Sequence, residues 1–350
     1  MAAHTPQNST EQEGAVIGIS RGTYFSYTTD IPQDSLSMQL QRQARRAGWT
    51  PADIDWSEPF KPDYVAPLRT EVPRLPRFHP GNSWSVEQFQ EYEIAMFRYV
   101  LSQIIYGEQL GMLTGLAIAE SAPEWDTRMF AASQASDEAT HVGAFTSYSK
   151  RLGDVYPIHP GMRDMISTVC SSKEWDKLAL IANIIVEAMG LGSFGYLQRT
   201  NTDPVFAHMI KNIISDEARH VAFGVSTLKS TLEGLSSAEL QERCELLIWC
   251  IETMNDRLLA LDVAREYGID EVKFSKAMQM SPIMRSYESR YYAHVGPICS
   301  RLGLLDVNDG WLRKRLTQMG ILDTPDWAFA GATQDAGWTH AETADSYEKF

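Results

Sequence analysis

The chain has 350 residues, of which 44% are hydrophobic and 22% charged, and its formal net charge is −14. This length is enough for a sizeable core in one large domain or two. The acidic balance argues against nucleic acid or an anionic membrane as the main partner.

Cysteine usage and the chain start point to the cytoplasm. The four cysteines show no C-x-x-C spacing, so buried, reduced thiols are the simplest interpretation. No basic segment followed by an apolar one opens the chain, so no secretion signal is expected. We also expect no run of about 18 apolar residues that would span a membrane.

Residues 1–82 are predicted to form an irregular, Pro-rich arm with a short helix near Ser37–Ala47. The aromatic-rich stretch Gly48–Ser57 is expected to anchor this arm, and a substrate lid is the alternative. Residues 83–305 are predicted to form an all-α domain with extra C-terminal helices, and residues 306–350 a polar tail with a short helix near Trp311–Gly320.

Helix start and stop signals divide the all-α domain. Ser85 with Gln88 forms a capping-box pattern, and Asp203 before Pro204 is a good N-cap and N1 pair. Two shorter helices split near Pro282 are predicted over residues 270–305. The longer predicted segments are Ser85–Ser121, Trp125–Leu152, Pro160–Val169, Ser171–Thr200, Asp203–Leu232 and Ser236–Tyr267.

A short motif occurs twice in this domain. The sequence I-I-S-D-E-A-R-H-V-A-F-G contains Glu217 and His220, and S-D-E-A-T-H-V-G-A-F contains Glu138 and His141 at the same spacing. Residues three apart lie on one helix face, with Cβ atoms about 5–6 Å apart. A carboxylate and an imidazole so placed can both reach one metal ion.

Two further acids lie in otherwise apolar helical patterns. Glu108 is 30 residues before Glu138, and Glu187 is 30 residues before Glu217. This spacing suits two antiparallel helices joined by a short turn, with both acids at similar depth. The repeated order of Glu and Glu-x-x-His therefore predicts two helix hairpins with metals between them.

Four carboxylates and two imidazoles suit two first-row ions, chiefly iron or manganese. Two divalent ions would balance the four negative charges, whereas the metal-free carboxylates would repel one another in an apolar interior. Asp137 and Asp216 precede the motif glutamates, and each is predicted to accept the N–H of the histidine in the other hairpin. Arg219 is predicted to tie one of these aspartates into the network.

These residues give the sequence a resemblance to the ferritin-like di-iron carboxylate superfamily over roughly Ser85–Leu232. The doublet D-E-A-T-H and D-E-A-R-H looks most like its O2-activating branch. That branch holds the bacterial multicomponent monooxygenase α-subunits, acyl-carrier desaturases, ribonucleotide reductase small subunits and arylamine N-oxygenases. The resemblance implies a ferritin-like four-helix bundle with peripheral helices. The implied ligands, which are also the implied catalytic residues, are Glu108, Glu138, His141, Glu187, Glu217 and His220.

The sequence departs from each of these subfamilies. Phe145 stands where the ribonucleotide reductase subunits have a radical tyrosine, and Ile213 where the arylamine N-oxygenases have a third histidine. Leu191 and Gly190 stand where the monooxygenases and the desaturases, respectively, have a threonine. Subfamily and product chemistry therefore stay open.

The functional expectation is a non-haem di-iron monooxygenase that activates O2 as co-substrate. Its substrate would be a small organic molecule, oxidised by C–H hydroxylation or N-oxygenation. A desaturase-type or oxidative-cleavage oxidase is the alternative, and a manganese–iron pair is the alternative cofactor to two iron ions cycling between Fe2+ and Fe3+. An iron-storage cage and a non-catalytic scaffold are further alternatives. The expected partners are an external electron donor, either a ferredoxin system or a small reductant, and a second copy in a homodimer.

Helical offsets from the ligands suggest a pocket. Gly190, Gly192 and Gly195 would either allow a bulge beside it or permit close helix packing. The predicted lining residues, mostly apolar, are Ile104, Met112, Phe130, Gln134, Asn183, Leu191, Met209, Ile213 and Gly224.

Overall fold

The computed structural model describes residues 16–18, 24–26, 31–65, 84–280 and 282–322. Within these ranges the chain is almost entirely helical, which confirms the all-α class. A two-stranded antiparallel hairpin, β1 (Val16–Gly18) with β2 (Tyr24–Ser26), interrupts the predicted irregular arm. The α-helices of the described ranges are α1 Leu36–Ala47, α2 Val86–Ser121, α3 Trp125–Ser149, α4 Pro160–Ser171, α5 Trp175–Ala179, α6 Glu187–Thr200, α7 Pro204–Glu233, α8 Ser237–Asn255, α9 Leu261–Glu266, α10 Glu271–Met280, α11 Pro282–Tyr291, α12 Val295–Arg301 and α13 Val307–Gln318.

The predicted caps fix two of the bundle helices. The Ser85 hydroxyl accepts a hydrogen bond from the Gln88 N–H, and Gln88 Oε1 accepts one from the Ser85 N–H at 2.9 Å. The helix α2 therefore begins with a capping box. Asp203 accepts from the Val205 N–H at 2.9 Å at the start of α7. Both helices therefore begin where the sequence predicts.

The third bundle helix differs from its prediction. The helix predicted to begin at Ser171 begins at Trp175 without a side-chain cap, and Ser171 still belongs to α4. Leu180–Val186 forms a π-helical segment, so α5, this segment and α6 make one composite helix over Trp175–Thr200. π-helical turns are rare and are frequently found at functional sites. This segment leads directly into Glu187.

The glycines of α6 were predicted either to allow a bulge or to permit close helix packing, and close packing explains Gly192. A Cβ placed on Gly192 would lie 2.1 Å from the Arg290 carbonyl oxygen, so only glycine permits this approach of α6 to α11. Gly195 has no neighbouring atom within 4 Å of such a Cβ. The irregularity of this helix lies before the glycines, in Leu180–Val186.

The C-terminal helices are more divided than predicted. The helix expected to run to Tyr267 ends at Asn255, and a 3₁₀ turn over Asp256–Leu259 leads to Ala260, whose φ of 49° is left-handed. A left-handed residue cannot continue an α-helix, so α9 starts anew. Three helices, α10 to α12, replace the two expected over residues 270–305.

The core has two apolar clusters with a charged layer between them. The helix α2 contributes to both clusters before Ile105, with Tyr99 in one and Leu101 in the other, and from Leu110 onward it contributes only to the cluster of Tyr99. The helices α3 and α7 switch clusters at the same level, between Ala131 and Ala144 on α3 and between Ile213 and Val221 on α7. The Glu and His residues of the repeated motif lie between these positions, where one cluster gives way to the other.

The composite helix is long and apolar enough to cross a membrane by length and composition alone. Its mean hydropathy is 1.7 over the most apolar window, and 78% of that window is buried inside the protein. The stretch contains Asn183 and Glu187 and is therefore not a continuous apolar run, so the expectation of no membrane span stays a prediction. A buried bundle helix has the same properties, so the finding is weak evidence for a span.

Candidate metal centre

All six residues predicted as ligands meet in the bundle interior. Their side chains are buried, and the most exposed, Glu108, is 6% exposed. One group of potential ligands joins Glu108, Glu138, His141 and Glu217, and a second joins Glu138, Glu187, Glu217 and His220. Glu138 and Glu217 belong to both groups, which is the arrangement of two adjacent ion positions with shared carboxylates.

His141 faces the first group through Nδ1. This atom lies 3.3 Å from Glu108 Oε2, 3.2 Å from Glu138 Oε2 and 3.2 Å from Glu217 Oε1. The opposite ring nitrogen, Nε2, lies 3.0 Å from Asp216 Oδ2. One nitrogen is therefore directed at the carboxylate cluster and the other away from it.

His220 repeats this geometry in the second group. Its Nδ1 lies 3.1 Å from Glu217 Oε2, 3.0 Å from Glu138 Oε1 and 3.8 Å from Glu187 Oε1. Its Nε2 lies 3.3 Å from Asp137 Oδ2. Each histidine is thus within reach of both shared carboxylates, and the two ring centroids are 6.2 Å apart.

The aspartates act across the bundle, as the sequence predicts. Asp216 on α7 contacts the histidine of α3, and Asp137 on α3 contacts the histidine of α7. A carboxylate on Nε2 holds the proton there and leaves the Nδ1 lone pair free to bind a metal. Arg219 hydrogen-bonds Asp216 and lies 3.9 Å from Asp137, so it connects the two aspartates.

Two of the glutamates cannot stay charged without compensation. Burial raises the pKa of Glu108 well above its usual range, and the charges of Glu217 and Glu138 raise it further. Burial, with the charges of Glu138 and Glu217, does the same to the pKa of Glu187. Closely spaced buried carboxylates need protons or cations between them.

The histidines show the same need for positive charge inside the carboxylate cluster. Burial opposes the charged form of His141, yet its pKa is raised because it hydrogen-bonds Asp216, Glu108 and Glu138. With a proton on Nε2 alone, the Nδ1 lone pair would face carboxylate oxygens, which is repulsive unless a second proton or a metal ion lies between. Glu138 Oε1 is a buried oxygen without a hydrogen-bond partner, although His220 Nδ1 is close to it. The donor set fits two metal ions.

Trp49 is a site residue that the sequence analysis did not find. Its indole Nε1 donates to Asp216 Oδ2 at 2.8 Å, and its ring stacks on His141 with centroids 6.1 Å apart. Trp49 therefore helps to orient Asp216, which in turn orients His141. The expectation that Gly48–Ser57 anchors the arm agrees with this contact, but no local signal pairs residue 49 with residue 216.

Gln134 and Asn183 support Glu187 rather than line a pocket. The Gln134 amide donates to Glu187 Oε1 at 2.9 Å. Asn183, within the π-helical segment, donates to Gln134 Oε1 at 2.9 Å and to the His220 carbonyl at 3.1 Å. This chain of hydrogen bonds ties the irregular turn to α3 and α7 and orients the Glu187 carboxylate.

Gly224 makes room for this chain, and its replacement is expected to be costly. A Cβ at Gly224 would lie 2.3 Å from the Asn183 Cβ. We expect Gly224→Ala to lower the free energy of unfolding by about 1–3 kcal/mol through overpacking. Gly195→Ala, in the open part of α6, is the matched control and should be neutral or gain up to about 1 kcal/mol. Urea unfolding of both variants tests this, and equal stabilities would contradict the crowding.

A cavity of about 200 Å³ reaches the cluster from one side. Glu108, Glu138, Glu187 and Glu217 form its inner end, and the walls come from α2, α6 and the segment between Met254 and Tyr291. Only Ile104 of the nine predicted lining residues lies on it. The prediction used all four ligand-bearing helices, but Ile213 and Phe130 fill the core on the α3–α7 side.

No family model and no curated protein sequence matches the chain significantly. Among solved structures, it is similar to a point variant of an R2-like ligand-binding oxidase with an aerobically reconstituted Mn/Fe cofactor. The identity is 18%, the match covers 78% of this chain and 95% of that one, and the TM-score is 0.50. A second variant of that oxidase, also with an aerobically reconstituted Mn/Fe cofactor, matches at 17% identity over 79% and 98% with a TM-score of 0.50.

The chain has the ferritin-like fold. At this identity the ferritin-like neighbours show the fold alone, so the site must be argued from its own residues. The ferritin-like bundle consists of α2, α3, the composite helix and α7, and the predicted ligands lie on these four elements.

Proposed function

We propose that the chain is a non-haem oxidase with two metal ions that activates O2 and oxidises a small organic molecule. The carrying observation is the double cluster of Glu and His at the inner end of an otherwise mostly apolar cavity. A substrate bound in this cavity would lie next to the metal ions that oxidise it. The similar solved structures are oxidases with Mn/Fe cofactors, which supports the proposal.

The donor set favours iron or manganese. Oxygen donors with one imidazole per ion suit hard or borderline first-row ions, and no thiolate takes part. Two divalent ions would neutralise four glutamates, so the loaded site could stay buried. We propose two iron ions, with a manganese–iron pair as the alternative.

When bound, such a pair of ions supplies electrons for the reduction of O2. The protein holds the centre in place and keeps it dry. Glu138 and Glu217 lie in both ligand groups and would bind both ions, while Asp137 and Asp216 hold the histidine protons on Nε2. Burial of the whole set keeps bulk water from the reacting centre.

The cavity walls support an apolar substrate. Apolar and aromatic side chains dominate them, among them Met96, Phe97, Phe194 and Leu197. We propose C–H hydroxylation or N-oxygenation of a molecule with an apolar body. Desaturation or oxidative cleavage uses the same centre and is the alternative.

Reconstitution with ferrous iron under anaerobic conditions tests the proposal. We expect two irons per chain and uptake of O2 when air is admitted. No bound iron, or bound iron without O2 uptake, would contradict it. A sizing column separates the cage alternative, because we propose a homodimer and a storage cage would elute as a many-subunit particle.

We expect no stable tyrosyl radical at the position four residues after His141. That residue is Phe145, fully buried against Phe194 with ring centroids 5.6 Å apart. Electron spin resonance after oxygenation of the ferrous protein checks this expectation. An intense tyrosyl signal would contradict it, and the signal in Tyr106→Phe would then show whether Tyr106 carries it.

A further inference from the structure

The cavity that reaches the carboxylate cluster also has a buried arginine in its lining. Arg257 lines the cavity and is 9% exposed. It belongs to the 3₁₀ turn between α8 and α9. The Tyr99 hydroxyl donates to its carbonyl at 3.0 Å, which attaches this turn to α2.

The guanidinium has no carboxylate partner among the described residues. Within the described part of the chain, its one side-chain hydrogen bond runs from Nη2 to the Tyr291 hydroxyl oxygen, and its Nε is buried without an acceptor. The ring of Tyr291 lies 5.7 Å from the guanidinium carbon and offers only a partial compensation. A guanidinium is always charged, and a buried charge without a counter-ion is costly.

Neighbouring hydroxyls can also donate into this end of the cavity. Because the Tyr291 oxygen accepts from Arg257, its own O–H remains available for another acceptor. Ser193 and Tyr287 share one hydrogen bond of 2.8 Å, so one of these two hydroxyls also keeps a free O–H. The lining contains all three hydroxyls together with the guanidinium. This set of donors is suited to a carboxylate.

The distance to the metal centre follows from α2. Tyr99, which contacts the backbone of the Arg257 turn, and Glu108, in the cluster, are nine residues apart on this helix. A rise of 1.5 Å per residue places them about 13 Å apart along the axis. Between them the cavity is lined on α2 by Val100, Gln103, Ile104 and Gly107, which form one stripe at helical spacing.

We infer that the cavity binds an apolar monocarboxylate with its carboxylate on Arg257 and Tyr291 and its apolar body directed toward the metal centre. This inference rests on the proposed function for the oxidation itself. The anionic end fixes the molecule, and a carbon remote from the carboxylate is presented to the cluster. Such an arrangement selects an acid over the matching alcohol or ester and oxidises it away from its charged end.

Binding of decanoate, decan-1-ol and methyl decanoate to the metal-loaded protein without O2 tests the inference. We expect decanoate to bind on the order of 10- to 100-fold more tightly than the two neutral molecules, the contribution of hydrogen bonds to a charged group. Arg257→Met should remove this preference and leave decan-1-ol binding nearly unchanged. Arg257→Lys should keep part of it, and Tyr291→Phe should reduce it by a smaller factor.

Arg265→Met, an exposed arginine on α9, is the matched control and should bind both molecules as the wild type does. Thermal unfolding shows whether Arg257→Met folds, and Tyr291→Phe removes only a hydroxyl if it does not. Equal affinity for acid and alcohol in the wild type, binding of neither, or an undiminished preference in Arg257→Met would overturn the inference.

Measuring the same binding ratio on a Glu217→Ala variant separates this inference from the proposed function. With the carboxylate on Arg257, the preference for acid should persist in this variant, whatever its metal content. Loss of the preference in Glu217→Ala with retention in Arg257→Met would place the carboxylate on the metals and overturn the inference. Failure of iron binding or O2 uptake, by contrast, would contradict the proposed function and leave the binding ratio intact.

Discussion

Glu138→Ala and Glu217→Ala are each expected to bind fewer than two metal ions tightly and to consume no O2. Both residues belong to both ligand groups, so either change removes an oxygen donor from each ion position. The remaining histidine and carboxylates would also lose the geometry that fixes the pair. Metal analysis after gel filtration and an oxygen electrode measure the two effects.

Glu233→Ala is the matched control, because Glu233 is exposed at the end of the helix that carries Glu217. It should bind two ions and consume O2 as the wild type does. Chelation should lower the thermal midpoint of the wild type, since a ligand of the folded state stabilises it by roughly 4 kcal/mol when free ligand exceeds Kd about a thousandfold. Full metal content in both alanine variants would remove these residues from the ligand set.

Sustained turnover is expected to need two electrons per cycle from outside the chain. Each O2 that is fully reduced takes four electrons, and a hydroxylation draws two of them from the substrate. The sequence has no cysteine cluster for iron–sulfur. Its G-x-G-x-x-G run at Gly190–Gly195 lies inside α6, not between a strand and a helix as dinucleotide binding requires.

Product counting with and without a reductant measures this requirement. We expect about one turnover per site without reductant and many with a ferredoxin system or a chemical mediator. The net charge of −14 would favour a donor with a basic docking patch, so turnover with a protein donor should fall as salt rises. Many turnovers without any reductant would instead indicate a substrate that supplies all four electrons.

The fold and the cluster could be predicted because their signals are local. Capping pairs such as Ser85 with Gln88 fix helix starts within one turn, and Glu-x-x-His fixes two donors on one face. The 30-residue spacing of Glu108 and Glu138 then aligns two helices. Each of these signals needs only the geometry of a helix and a turn.

Contacts between distant segments could not be predicted in the same way. Trp49 and Asp216 are 167 residues apart, and nothing local indicates their hydrogen bond. The cavity depends on where the turn with Arg257 packs against α2 and α6, which hydrophobic periodicity does not specify. The division into an arm, a helical domain and a tail stays a prediction, because residues 66–83 and 323–350 lie outside the described ranges.

The π-helical segment makes the backbone hydrogen-bond pattern of one helix a determinant of the centre. Its hydrogen bonds reach one residue further than those of an α-helix, so Leu180–Val186 holds one residue more than a regular turn needs. If Leu180–Val186 were regular α-helix with all its residues kept, Glu187 would be rotated by about 100° relative to Trp175, given 3.6 residues per turn. Glu187 would then leave the cluster although every donor was still encoded. A substitution that favours regular α-helical hydrogen bonding in this stretch would therefore disable the centre without changing any ligand.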